Sequence, residues 1–207
     1  MELTQNHRDA LRDVLRWRRD VRHFLPDPVA PDVLERLREA MDLAPSVGNA
    51  RPWRVLQITT PALREAVIAN FEAENTKAAA IYADAKRASY NKLKLAGLRV
   101  APVHLAVFTK AKPKAGHGLG RQTMPEMLSY STVAAIHTLW LAARAENLGL
   151  GWVSILDPEA IAKTLDVPED WRLTGYLCIG KAAQSDDTPL LHRSDWQENT
   201  QTIWQEV

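Results

Sequence analysis

The densest chemistry in the chain falls in seven consecutive residues, Arg16-Trp17-Arg18-Arg19-Asp20-Val21-Arg22. Four guanidinium groups so close together can grip a phosphate through paired, charge-assisted hydrogen bonds. The same pattern also forms a solvated helix face on which Asp20 pairs a neighbour. A second cluster is the loop Ala44-Pro45-Ser46-Val47-Gly48-Asn49, which offers the Ser46 hydroxyl, a flexible Gly48 and backbone N–H groups able to approach a planar or anionic ligand. An ordinary turn has the same composition. The third is Gly149-Leu150-Gly151-Trp152-Val153-Ser154-Ile155, where glycines bracket a short strand and Ser154 stands among bulky apolar neighbours. A strand serine can also simply be tolerated.

Other chemistries are disfavoured. The six histidines never fall at metal-ligand spacing, and no P-loop is present. Gly116-His117-Gly118-Leu119-Gly120-Arg121 imitates a dinucleotide fingerprint, but Arg121 replaces the third glycine and no strand leads straight into it; a mobile loop describes it better. The single cysteine, Cys178, excludes an internal disulfide and multi-thiolate metal sites, and its apolar setting predicts an inert buried thiol. With 26 basic and 25 acidic residues the net charge is +1, so an anion site has to be local and a nucleic-acid-binding domain is a weak alternative.

The elements that position these residues are legible in outline. Helical spacing predicts a helix from His7 to about Arg22, then a second from Pro31 through Val33, Leu37 and Ala40 that delivers the chain into the Ser46 loop. Strands are predicted at Arg54–Thr59, Ala101–Thr109, Leu150–Leu156 and Leu173–Ile179. A long, polar, broken helical stretch runs from Ala62 to about Leu95, and a central buried helix runs from Ser129 or Ser131 to Leu148. Asp157-Pro158 opens a short helix by capping, and the tail from Lys181 is polar apart from Trp196 and Trp204. At 207 residues, 46% apolar and 25% charged, the chain suits one α+β (α/β sandwich) domain spanning 1–207, with a mixed sheet. No apolar stretch approaches the ~18 residues of a membrane span, and the charged N-terminal stretch suits an unexported, cytoplasmic protein.

The three clusters, in this order, resemble the nitroreductase-like flavoproteins and, within them, the 5,6-dimethylbenzimidazole synthase branch known as BluB. The resemblance runs from about Arg16 to Leu177. It is carried by Arg18-Arg19-Asp20-Val21-Arg22, Phe24-Leu25-Pro26, Ala44-Pro45-Ser46-Val47-Gly48, Pro52-Trp53, Tyr130-Ser131-Thr132-Val133, Leu139 to Glu146 and Gly151-Trp152-Val153-Ser154-Ile155. Aspartate at position 20, where ordinary nitroreductases have serine, together with Gly-Trp-Val-Ser, marks the branch. Two places depart from it: Asn49-Ala50-Arg51 stands where the synthases read Phe-Met-Gln, with Asn49 itself fitting the general nitroreductase pattern better, and the tail around Trp196 lacks following arginines, for which Arg193 or Arg121 would substitute.

The resemblance implies an intertwined homodimer with two flavin sites between subunits, the tail 182–207 packing on the partner. The implied reaction fragments reduced FMN with molecular oxygen to 5,6-dimethylbenzimidazole, the lower ligand of cobalamin, and erythrose 4-phosphate. Arg18, Arg19, Val21, Arg22, Ser46 and Gly48 would bind the flavin. Asp20 and Ser154 would bind it and also act in catalysis, and no metal is implied. The reduced flavin would come from NAD(P)H acting directly or from a separate flavin reductase. The alternative enzyme is a conventional FMN-dependent NAD(P)H nitroreductase.

Overall fold

The computed structural model describes residues 1–93 and 97–207, so the expected helix end near Leu95 lies outside the described residues. Helix α1 (Gln5–Trp17) leads by an extended segment into α2 (Pro31–Asp42), which starts on a proline whose absent N–H would have had no helical partner anyway. Strand β1 (Trp53–Gln57) follows, then α3 (Pro61–Ala80), α4 (Asp84–Lys92) and the single turn α5 (Gly97–Val100). Next come β2 (Val103–Lys110), α6 (Met127–Ala145) and β3 (Gly149–Val153). The order closes with α7 (Pro158–Thr164), β4 (Trp171–Gly180) and α8 (Leu190–Arg193). The Asp157 carboxylate accepts the N–H groups of Glu159 and Ala160 at 3.0 Å, the cap expected from Asp157-Pro158.

The strands pair in the order β1-β2-β4-β3, and every pair is antiparallel. This corrects the mixed sheet expected from the sequence. Strand direction depends on where each helical crossover returns the chain, which residue spacing does not encode. The parallel component is reduced to one bridge outside the named strands, between Asp20 and Leu150.

Helices cover both faces, so the α+β sandwich holds. On one face α2 and α6 pack Leu37, Met41, Ile136 and Leu139 against Val107, Leu177 and Ile179. On the other, α3 and α7 pack Val67, Phe71 and Ile161 against Ala106, Phe108, Tyr176 and Cys178. Because β2 and β4 are central and covered twice, their burial is almost continuous rather than alternating. Along α6, Ala135, Ile136, Leu139 and Ala143 are buried, whereas Val133 is 40% exposed.

His104 sits in the second layer, 1% exposed, with Nδ1 3.0 Å from the Tyr176 hydroxyl. Burial first, and then the Arg64 charge, push its pKa down to about 4. An unfolded chain would protonate His104 near its ordinary 6.5, so between pH 6.5 and 4 the unfolded state binds the extra proton. Stability should therefore hold above pH 6.5 and fall toward pH 4, by up to about 3 kcal/mol from this group. Urea denaturation across that range should show a slope that His104→Gln reduces; an equal slope in the variant would assign the effect elsewhere.

Candidate active site

Strand β3 is an outer strand, with β4 on one side and an open hydrogen-bonding edge on the other. An unfilled edge exposes backbone donors and acceptors, and the arginine-rich segment occupies it. Val21 N–H donates to the Leu150 carbonyl at 3.0 Å, and Asp20 Oδ1 accepts the Trp152 N–H at 3.1 Å. Helix α1 consequently ends at Trp17 rather than near Arg22, and Arg18 is already extended (φ −71°, ψ 115°). The cluster is not a helix face.

This approach depends on two glycines. A methyl group at Gly149 would stand 2.6 Å from Val21 Cγ2, and one at Gly151 would overlap the Val21 carbonyl oxygen. Gly151 is paired across the sheet with Cys178, whose thiol burial pushes up to about 12, the inert thiol expected.

The segment's other side is also tied. Phe24 bridges Ala182 antiparallel, Leu25 N–H donates to the Lys181 carbonyl, and Ala183 N–H donates to that of His23, each hydrogen bond 2.9 Å. Arg16 Nε reaches Asp187 Oδ2 at 2.7 Å, while Arg19 Nε donates to the Asp187 carbonyl at 3.0 Å. Two of the four arginines therefore fasten the start of the tail.

Arg18 and Arg22 are differently engaged. The Arg18 guanidinium lies 4.5 Å above the Trp140 ring, and Trp140 donates its indole N–H to the Arg19 carbonyl at 3.3 Å. Burial, and next the charge of Arg19, lower the Arg18 pKa from its ordinary value, while Asp20 opposes them. Among the described residues Arg18 has no carboxylate partner, and it opens onto a cavity of about 220 Å³ shared with Arg19, Arg22 and Arg193. Arg22 Nε instead donates to Asp20 Oδ2 at 3.0 Å, and another of its nitrogens donates to the Leu93 carbonyl at 3.0 Å. Beyond Arg22 a chamber of about 700 Å³ is lined by Phe71, Tyr90, Leu98, Ile155, Leu191 and Trp196. A third cavity of about 280 Å³ shares Arg18 and Asp20 with the first and Arg22 and Leu191 with the chamber.

Ser154 is exposed just beyond β3, two residues past Trp152 along the strand that holds Asp20. Ser46 and Gly48 are placed elsewhere. Their loop is hung from the start of α6, where Ser131 Oγ accepts the Val47 N–H at 3.0 Å, and the Ser46 hydroxyl accepts the Arg51 N–H at 3.0 Å. Positions 131 and 140 of one helix are about 14 Å apart at ~1.5 Å per residue, so this loop and Arg18 occupy opposite ends of α6. Gly48 has φ 55°, and its backbone packs against Gly116, so the 116–121 loop is docked on the Ser46 loop.

The sequence reading missed Trp140 and Trp152, whose rings stand 6.3 Å apart beside Arg18, because tryptophan in an apolar helix or strand reads as core. It also missed the steric need for Gly149 and Gly151. Their spacing of two, which puts both on one side of a strand, is a signal that could have revealed a close backbone approach. Trp196 is caged by its own chain, with Lys86 Nζ 3.8 Å above its ring and Tyr82 edge-on at 5.5 Å, whereas Trp204 is 92% exposed.

An antiparallel sheet between helical layers, with an arginine–aspartate segment zipped to its outer strand, defines the class: the chain belongs to the nitroreductase family, whose model matches residues 15–181. Within it, the chain is 59% identical over 205 residues to the 5,6-dimethylbenzimidazole synthase of Rhodobacter capsulatus, covering 99% of each chain. The 5,6-dimethylbenzimidazole synthase of Rhodospirillum rubrum is 49% identical, covering 92% of this chain and 90% of that one. Among solved structures, iodotyrosine deiodinase bound to FMN and 3-iodo-L-tyrosine superposes with a TM-score of 0.76 at 20% identity, covering 95% of this chain and 99% of that one. Among the described residues no helix is long and apolar enough to cross a membrane.

Replacing Gly151 by Ala should force the Val21 carbonyl away from β3 and loosen Asp20 with it. Overpacking of this kind costs ~1–3 kcal/mol, which denaturation would read as a lowered midpoint. An unchanged midpoint, with the Trp152 amide still protected from exchange, would show that the edge accommodates a side chain.

Proposed function

We propose that the protein converts reduced FMN and molecular oxygen into 5,6-dimethylbenzimidazole and erythrose 4-phosphate. The observation that carries this reading is 59% identity to a 5,6-dimethylbenzimidazole synthase over 99% of both chains. The site's polarity supports it. A half-buried guanidinium without a carboxylate partner at one end, and a large apolar chamber at the other, suit a molecule with a phosphate at one end and a fused aromatic ring at the other.

FMN, when bound in reduced form, supplies the electrons and the ring carbons that oxygen chemistry then cleaves. Arg18, steadied by Trp140, binds the phosphate, and Arg193, which shares the cavity, stands in for the arginines missing from the tail. Asp20, fixed by the Trp152 N–H and by Arg22, takes up a proton at the junction of ribityl chain and ring. Ser154, just past the end of β3, donates a hydrogen bond to the ring. Val21 orients the segment through its backbone hydrogen bond to Leu150.

Ser46 and Gly48 complete the site from a second copy of the chain, since one chain holds them at the far end of α6 from Arg18. Unpartnered apolar residues support the homodimer: Leu11 and Leu15 on α1, Tyr130 and Val133 on α6, and Ile203 and Trp204 in the tail are exposed. Because Trp196 is engaged within its own chain, the part of the tail that meets the partner lies beyond it. Truncation after Asn199 should weaken the dimer, read as a dissociation at least tenfold easier in sedentation-type mass measurements on dilution; an unchanged dimer would confine the interface to α1 and α6.

The fate of the flavin tests the reaction. Incubated with FMN, a reductant and air, the enzyme should consume FMN stoichiometrically, with a benzimidazole appearing on chromatography. Asp20→Asn should still bind FMN while product formation falls ~10²-fold or more, the size expected for a well-placed general base. Complete recovery of FMN with NAD(P)H-dependent turnover of nitroaromatics or quinones would identify a conventional nitroreductase instead.

A further inference from the structure

We infer that Asn75 and Tyr90 read the imide edge of the flavin ring, where a carbonyl and an N–H stand side by side, an assignment that rests on the flavin binding proposed above. The two residues come from different helices onto the wall of the apolar chamber. Asn75 follows Ile68 and Phe71 at helical spacing on α3, so all three share the face that lines the chamber, and Tyr90 of α4 arrives beside Leu98 and Trp196. Both are half-buried, and the Tyr90 hydroxyl donates to Asn75 Oδ1 at 2.7 Å. Packing sets the position of that hydroxyl, because the Tyr90 ring lies 5.2 Å from Tyr82 and 6.2 Å from Trp196.

The direction of the hydrogen bond decides what the pair can offer a ligand. A tyrosine hydroxyl has one proton, and here it is committed to Asn75, so only the phenolic lone pairs remain. The Asn75 Nδ2 hydrogens have no partner among the described residues and can only donate. Burial first, and then Tyr82, push the Tyr90 pKa above its ordinary 10 while Arg22 opposes them, so the hydroxyl keeps its proton at neutral pH. Neighbouring polar groups are otherwise engaged, since Glu72 Oε1 accepts from Arg99 at 2.7 Å. An acceptor beside a donor is matched by a donor beside an acceptor, and a cyclic imide presents that pattern along one edge. Polar groups on an apolar wall also penalise any ligand that leaves them unpaired. The benzimidazole product has no carbonyl, so the pair favours the intact flavin over the product.

Binding of oxidised FMN and of its N3-methyl analogue, which keeps the phosphate and the carbonyls but lacks the N–H, tests the pair without turnover. The wild-type protein should bind FMN about tenfold or more tighter than the analogue. Tyr90→Phe, which keeps the ring packing on Trp196, should weaken FMN binding about fivefold or more, the scale of one hydrogen bond, and change the analogue less than about twofold. Asn75→Asp replaces the donor by an acceptor and should weaken both ligands, because both retain the carbonyls. If Tyr90→Phe weakens FMN and the analogue alike, or neither of them, Tyr90 only packs and the inference fails. A wild-type protein that binds neither ligand would overturn the flavin site itself, and the inference with it. FMN recovered intact after turnover would remove only the proposed reaction, and the binding comparison would still decide the role of the pair.

Discussion

The open edge of β3 is the constraint on which the rest of the site depends. A four-stranded sheet must end somewhere, and its last strand carries backbone groups that need partners. Here the partner is a segment far away in sequence, whose Val21 amide and Asp20 carboxylate occupy that edge. Helix α1 must stop at Trp17 to release it, Gly149 and Gly151 must lack side chains to admit it, and Arg18 emerges beside Trp140 as a result.

Once the segment is pinned, identical side chains acquire different tasks. Arg16 and Arg19 hold Asp187 and thereby bring the start of the tail alongside, Arg22 turns to Asp20, and Arg18 is left facing a cavity. A cluster that reads as one block of charge is a set of separate engagements, each fixed by the nearest acceptor. In this near-neutral chain the half-buried Arg18, with no carboxylate partner among the described residues, carries a charge that interacts more strongly than one spread in water.

The tail and α4 complete the enclosure. Trp196 is gripped between Lys86 and Tyr82, so Leu191 and Trp196 form one wall of the apolar chamber while Phe71 and Leu98 form another. Cation–π and edge-on aromatic contacts of this sort contribute ~0.5–1.5 kcal/mol apiece, enough to hold a short polar segment in place without a core of its own. The loop bearing Ser46 and Gly48 is likewise fixed by Ser131 and the backbone of Gly116, yet it lies at the other end of α6 from Arg18.

Local patterns in the sequence determined the elements whose causes are local. Proline at the head of α2, the Asp157 cap of α7 and the apolar character of α6 are all decided within a few residues, and the ordered motifs sufficed to identify the family. The antiparallel direction of every strand pair, the early end of α1 and the partner of each arginine were decided only by tertiary structure. Asp20 meets Trp152 across 132 residues and Arg19 meets Asp187 across 168, so no window on the sequence contains both partners. A hydrogen bond is fixed by which donor and acceptor arrive at about 3 Å, and that is settled by the packing of helices on the sheet rather than by the residues that flank each partner.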